Sequence, residues 1–214
     1  GDFWVRFSSS HPKDLSAALI KVIATYPKIC PHLHLAVQSG DDDILKAMNR
    51  KYTAAYYEKL IDRVRKARPE IVITTDVIVG FPGETKKQFN NTLKLFRRLK
   101  FGLAYIAQYS PRYGTVSAKM KDGVLPQEKK RREEALDALL KKEALKQTKK
   151  YIGQELRVLI EGINKKGKYY GKTGTYQTIL ATSSQKADKK LIGQFANVEI
   201  KTALPFALEG ELVD

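Results

Sequence analysis

The sequence predicts an α/β protein: half of a barrel-like βα-repeat domain followed by a small all-β barrel. Three observations carry this. Short β-type runs alternate with amphipathic helical patterns through residue 108, the signature of a parallel sheet. A long, charge-laced helical pattern begins at Pro126. After Gly153 come five short strand-like runs separated by Gly, Lys and Asn, as in a small closed barrel.

In chain order, strands are expected near 3–8, 32–37, 71–79 and 103–108. DLSAALIKVIATYP (14–27) has apolar residues at helical spacing, with Asp14 placed to cap or precharge its first turn. In HLHLAVQSGDDDILKAMNRKYT (32–53), Gln38 and Ser39 close a strand and Gly40 turns. Asp41 to Asp43 then start a short helix ending at Asn49-Arg50. Thr53 is the N-cap of the next helix, and Pro69 lies just past its end. ETKKQFNNTLKLFRRLK (84–100) repeats Phe89, Leu93, Phe96 and Leu99 on one face. From Pro126, residues Ala135, Leu136, Leu139, Leu140 and Ala144 form an apolar stripe on a helix with nine Lys and Arg against four acids over 129–150. Charge patterning alone reads that helix as a linker with a solvated face. The runs ELRVLIEGI, KYYGKT, YQTILAT, ANVEIKTAL and ALEGELV have the size and strand number of OB-like nucleic-acid modules, and seven Lys against one Asp over 164–190 make one edge basic. The division is thus 1–147 and 148–214.

At 214 residues and 43% apolar content the chain can fill real cores, and its net charge of +16 favours a polyanionic partner, nucleic acid first. No apolar run reaches the roughly 18 residues of a membrane span, and GDFWVRFSSSHP has no signal-peptide pattern, so no membrane partner and a cytoplasmic location are expected. The lone Cys30 can form no internal disulfide and cannot by itself anchor a metal cluster. Opening on Gly1 straight into an apolar run reads as a fragment.

The stretch TTDVIVGFPGET, Thr74 to Thr85, is a core strand that ends in a turn where a βα unit would hold a ligand. Asp76 inside that strand needs a donor, either a protein group or ligand hydroxyls. Gly80 and Gly83 permit close approach or positive φ, and Pro82 stiffens the turn. Arg50 can return to the mouth lined by Gln38, where its planar fork suits a carboxylate. Gln38 and Asp76 suit a ribose or an α-amino group. Together these describe a site for an amino-acid-plus-nucleoside ligand.

RFSSSHP, PKICPHLHLAVQSG, MNRKYT, TTDVIVGFPGET and YSPRYGT with KM following stand in that order. By them the chain resembles the tRNA methylthiotransferases of the radical S-adenosylmethionine (SAM) superfamily. It is most similar to the MiaB family, which adds a methylthio group to carbon 2 of N6-isopentenyladenosine 37 in tRNA. The resemblance implies the C-terminal half of a radical SAM (βα) partial barrel followed by a TRAM domain, an RNA-binding module. Two departures are Ala36, where the family usually has Pro, and GKTGTYQT, which puts Lys172 where Arg is common and Tyr176 near the usual Asn. The resemblance implies S-adenosylmethionine contacts from Gln38, Ser39, Arg50 and Asp76, with Val79 and Gly80 bordering the adenine. Ser8 to His11 would close an earlier strand and face the cofactor or substrate. His32 and His34, alternating on one strand face, read as lumen residues or as satisfied core histidines. Arg112 is expected near the mouth as a tRNA contact. On the small barrel, Lys165, Lys166, Lys168, Lys172, Lys189 and Lys190 would meet RNA phosphates, with Tyr169, Tyr170 or Tyr176 stacking on a base.

Family members also hold 4Fe-4S clusters through cysteines that lie upstream of the first motif, and Cys30 fits neither ligand set. The resemblance therefore implies a piece that is inactive alone. Its partners would be a tRNA anticodon stem-loop, the N-terminal part of the same protein and an electron donor. No catalytic or metal-binding residue is assigned within the chain. Within the family, Ser39-Gly40 speaks against the ribosomal-protein branch and Pro111 favours the isopentenyl branch over the threonylcarbamoyladenosine one. A non-catalytic RNA-binding module is the other class of reading.

Overall fold

The computed structural model describes residues 1–7, 11–184 and 187–213. Its first unit is a parallel sheet of three strands in the order β1 (His32–His34), β2 (Val72–Val79), β3 (Leu103–Gln108). Successive strand residues point to opposite faces, so each strand divides its side chains between two environments. Leu33, Leu35, Ile73, Val77 and Val79 face the helices. There they pack with α1 (Ala17–Thr25), α3 (Ala54–Ala67), α4 (Lys86–Leu99) and α5 (Pro126–Thr148) in one core that includes Tyr57, Phe89, Phe96 and Leu136. The other face carries His32, His34, Thr74, Asp76 and Tyr105, joined by ring contacts and hydrogen bonds. Polar groups thus line the concave side.

Helix ends follow local chemistry. Thr53 caps α3, and a reciprocal capping box between Thr85 and Gln88 starts α4. Asp14 does not cap α1: it lies in a 3-10 turn, Pro12–Asp14, and the Ser16 hydroxyl accepts the Leu19 N–H at 3.1 Å instead. The short helix of the Asp41 segment is α2, Asp42–Ala47.

The strand expected at 3–8 is reduced to one parallel bridge, Val5 to Ile29; Ser8, Ser9 and Ser10 lie outside the described residues. The cause is tertiary. Trp4 packs edge-on against Phe195, and Arg6 donates to the carbonyls of Thr173 and Gly174, so the small barrel takes the side chains of this run.

That barrel is closed, with β4 (Glu155–Ile163), β5 (Tyr169–Thr173), β6 (Thr178–Thr182), β7 (Phe195–Ala203) and β8 (Ala207–Leu212) in the order β4-β5-β6-β8-β7. Closure leaves no sheet edge. Val158, Ile160, Ile179, Val198, Ile200 and Leu208 fill its interior. The barrel docks where the sheet strands begin: Thr175, Tyr176 and Phe206 border a small gap with Val72 and Leu103. The Thr148 hydroxyl, at the end of α5, donates to the Leu204 carbonyl at 2.9 Å.

Candidate functional site at the C-terminal end of the sheet

Where β2 and β3 end, a cavity of about 660 Å³ opens, and Gln38, Arg50, Asp76, Ile78, Phe81 and Arg112 are among its walls. Strand ends and the loops after them are where α/β sheets place ligand groups.

Asp76 is held rather than free. His34 Nε2 lies 3.1 Å from Asp76 Oδ2, His34 Nδ1 lies 3.0 Å from Thr74 Oγ1, and His32 Nε2 lies 3.0 Å from the same hydroxyl. One proton arrangement satisfies all three contacts. His34 Nε2–H donates to Asp76, the Thr74 hydroxyl donates to His34 Nδ1, and His32 Nε2–H donates to Thr74. His32 Nδ1 is then a bare acceptor, and it is the buried ring nitrogen that lacks a partner among the described residues. The opposite direction would strand a buried N–H there, the costlier omission. Burial first, then the neighbouring Arg6, His34 and Lys172, pushes the His32 pKa down to about 4, in keeping with a neutral ring. The histidines are thus a positioning chain for the Asp76 carboxylate, whose side chain stays 39% exposed toward the cavity.

Gln38 and Arg50 reach the cavity by unusual backbone routes. Gln38 has φ 67° and Asn49, just before Arg50, has φ 56°. Left-handed backbone at a non-glycine residue costs on the order of 1–3 kcal/mol and clusters at functional sites. β1 leaves its ladder after His34, and polar side chains satisfy the freed carbonyls. Tyr57 donates to Leu35 O at 2.7 Å, Thr75 to the same oxygen at 2.8 Å, and Tyr52 to Ala36 O and Val37 O. The Arg50 guanidinium makes no hydrogen bond or ion pair among the described residues. A half-buried cation without a partner is available to an anionic ligand.

The other three expected cofactor contacts are turned elsewhere. Ser39 is fully buried, accepts the Asp41 N–H at 3.2 Å and faces Thr92 Oγ1 at 3.5 Å. Val79 belongs to the helix-side core. Gly80, at φ 70°, donates its N–H to Glu84 Oε2 at 2.7 Å, and an added Cβ would lie 2.4 Å from Lys129 Cγ. Glu84 in turn accepts from Arg132 at 2.7 Å in an ion pair whose side chains are 1% and 5% exposed. Burial raises the Glu84 pKa, against the lowering by the Gly80 N–H and Arg132. The FPGE turn therefore grips α5, while Asp76 upstream of it faces the cavity. Arg132 and Lys129 correct the reading of α5 as solvated in charge: both are buried, Lys129 donating to Tyr109 O at 3.1 Å and pairing with Asp122.

On the small barrel, Lys165 and Lys166 are exposed in the β4–β5 turn, and Lys189 and Lys190 are exposed in a 3-10 turn. Tyr169 accepts the Asp188 N–H and donates to its carbonyl, tying that turn to the start of β5. Tyr169 is thus buried and not free to stack, whereas Tyr170 is exposed. Lys168 lies 3.8 Å from Glu209. Lys172 and Tyr176 correct their expected places on the RNA edge. Lys172 donates to Thr178 Oγ1 at 2.7 Å and lies over the Tyr176 ring, which stacks on His32. Arg112 is exposed at the cavity rim.

The geometry defines a polar-lined α/β half-sheet with a nucleoside-sized cavity, carrying a closed β-barrel. Residues 1–96 match the family model described as the Radical SAM superfamily, and residues 149–213 match the TRAM domain. The chain thus carries a stretch similar to the radical SAM superfamily, followed by one similar to a TRAM domain. Over 212 residues, 98% of the chain, it is 45% identical to the tRNA-2-methylthio-N(6)-dimethylallyladenosine synthase of Thermoanaerobacter pseudethanolicus. It is 43% identical over 217 residues to the synthase of the same name from Geobacillus thermodenitrificans. The chain spans 44% and 40% of those two relatives. Among solved structures it resembles coproporphyrinogen III oxidase from Escherichia coli, with a TM-score of 0.55, 19% identity, and coverage of 66% of this chain and 32% of that one. That likeness concerns the fold alone.

Proposed function

We propose that this chain supplies the C-terminal part of the cofactor barrel and the RNA-binding domain of a tRNA methylthiotransferase acting on carbon 2 of N6-isopentenyladenosine 37. The observation that carries the reading is the 45% identity, over 98% of the chain, to a synthase whose name specifies that product. The cavity agrees with it. Arg50 offers a bidentate donor for the methionine carboxylate, Asp76 and Gln38 offer partners for ribose hydroxyls or the amino group, and Ile78 and Phe81 offer an apolar wall for a base. Bound S-adenosylmethionine supplies the radical chemistry, and this chain's residues orient it. The 4Fe-4S clusters do not fit here. Cys30 is the sole thiol and is buried, and no group of three His, Cys, Asp or Glu side chains is placed for a metal among the described residues. Cluster ligands would have to come from outside this chain.

The reading includes an anticodon stem-loop as substrate, met by Arg112 at the cavity rim and by Lys165 and Lys166 on the barrel. It also includes an electron donor and a cytoplasmic location; no described helix is long and apolar enough to cross a membrane. Mass spectrometry of nucleosides from tRNA of cells lacking the gene tests it. The expected result is loss of 2-methylthio-N6-isopentenyladenosine with accumulation of N6-isopentenyladenosine. Loss of a methylthiolated threonylcarbamoyl nucleoside instead would assign the protein to that branch.

A further inference from the structure

Helix α4 carries Lys86, Lys87, Lys94, Arg97 and Arg98, Lys100 follows it, and no acid stands anywhere from Thr85 to Lys100. The other long helices mix their signs: α3 has Glu58 and Asp62 among its bases, and α5 has Glu128, Glu133, Glu134, Asp137 and Glu143. Arg98 is paired with Glu58. Lys86, Lys87, Lys94 and Arg97 are exposed and make no ion pair or hydrogen bond among the described residues. With Asn90, Asn91 and Leu93 they line one open groove of about 560 Å³.

This arrangement works against the fold. Lys86 and Lys87 occupy the first two positions of the helix, where the positive end of the macrodipole disfavours cations. Like charges on one helix face repel at the spacing of a turn. Asp41, which accepts from Asn91 at 2.8 Å, gives no relief, since it is buried and caps α2 through Asp43 N and Ile44 N. Four exposed cations thus share this groove with no acid paired to them among the described residues, an arrangement complementary to a polyanion.

We infer that the exposed face of α4 is a second RNA-backbone surface, separate from the barrel lysines, with phosphates as the recognised groups. The inference rests on the tRNA reading above. Its placement fits, because α4 begins directly after the turn that closes β2, at the end of the sheet where the cavity opens. A stem-loop with one nucleoside in the cavity can lay its backbone over Lys86 and Lys87 and along the helix to Lys94 and Arg97. Asn90 adds amide donors between them.

The test is equilibrium binding of a labelled anticodon stem-loop RNA to the full chain over a range of salt. It compares K86Q/K87Q/K94Q/R97Q with K165Q/K166Q. Each neutralised phosphate contributes about 0.7 to 0.9 to the salt slope, so the α4 variant is expected to lower the slope by about 3 and affinity at low salt at least tenfold. Its melting temperature is expected to hold or rise, since two cations leave a helix N-terminus. Unchanged slope and affinity, with K165Q/K166Q reducing both, would remove α4 from the RNA surface and leave the tRNA reading standing. If neither variant matters, or wild type does not bind the RNA, the tRNA reading fails with it. A fall in melting temperature would make the cations structural. Loss of binding to phosphatidylserine vesicles with RNA binding intact would assign the groove to a lipid surface and overturn the inference.

Discussion

Tyr176 of the TRAM barrel lies flat on the imidazole of His32, at the start of the first sheet strand, with ring centroids 4.5 Å apart and planes 17° from parallel. Lys172 Nζ is 4.5 Å and the Arg6 guanidinium carbon 5.3 Å from the centre of the same tyrosine ring. Tyr176 holds φ 71°, so the turn is kept in a sparsely populated conformation to present its ring. An aromatic pair contributes about 0.5–1.5 kcal/mol beyond its area and each cation–π contact about 0.5–1. Tyr176→Ala is therefore expected to weaken docking of the barrel by about 1–3 kcal/mol. Calorimetry reads this as one transition separating into two, and protease cleavage between Thr148 and Glu155 should accelerate. Tyr176→Phe should retain the wild-type trace. A single unshifted transition in the alanine variant would mean that the remaining contacts suffice.

The same contact makes stability depend on pH. His32 has a folded pKa of about 4 against an ordinary 6.5, set first by burial and then by Arg6, His34 and Lys172. Below pH 6.5 the unfolded chain takes up a proton that the folded chain refuses until about pH 4. The contribution is thus complete above 6.5 and is lost as pH falls through this window, by at most about 3 kcal/mol. Urea midpoints at pH 7.5 and 4.5 measure the loss. His32→Phe keeps a ring against Tyr176 but cannot titrate, so part of the pH dependence is expected to vanish with it. An identical pH dependence in the variant would place the titration on other groups.

Local patterns were legible in the sequence, and partnerships across the fold were not. The alternation in β2, the Thr53 cap and the five runs of the small barrel depend on neighbours in sequence, and each forms. The run Phe3 to Phe7 reads equally well as a strand, but Trp4 and Arg6 are claimed by Phe195 and Thr173, far along the chain. Lys172 and Tyr176 read as an RNA edge because nothing near them in sequence reveals His32. Gly80 and Glu84 read as a ligand turn because Arg132 is 48 residues away. One signal was present and missed: Lys129 and Arg132 fall on the helical stripe that continues as Leu136 and Leu140, so these two charges were already marked as inward. Gln38 and Arg50 were legible because each follows the end of an element, and Asp76 because a carboxylate inside an apolar strand needs a partner.

The Glu84–Arg132 pair gives a stability prediction for the turn. Glu84→Ala leaves Arg132 buried, with Glu128 as its remaining acid partner, and strands the Gly80 N–H. Removing one member of a buried pair costs about 3–5 kcal/mol. Gly80→Ala is expected to destabilise by more than about 1 kcal/mol, through its positive φ and the clash with Lys129. Thermal melts of both variants, beside S-adenosylmethionine binding by the complete enzyme below their melting temperatures, separate anchoring from ligand contact. A drop in affinity with unchanged melting would return the turn to the cofactor site.

Asp76 and Arg50 are expected to show the opposite pattern. Arg50 has no partner among the described residues to lose. Asp76 is bonded to His34, and its loss leaves His34 still joined to Thr74. Neither substitution should disturb folding by more than about 1 kcal/mol, whereas a charge-assisted contact to a ligand contributes about 1.5–3 kcal/mol. In the complete enzyme, Arg50→Ala and Asp76→Ala are each expected to raise the S-adenosylmethionine dissociation constant about tenfold to a hundredfold. Arg50→Lys keeps the charge but not the planar fork, so it should recover only part of the loss. Equilibrium binding and thermal unfolding on the same preparations decide the matter. A large fall in stability with cofactor affinity intact would mean that Asp76 serves the His34–Thr74–His32 chain, rather than that chain serving Asp76.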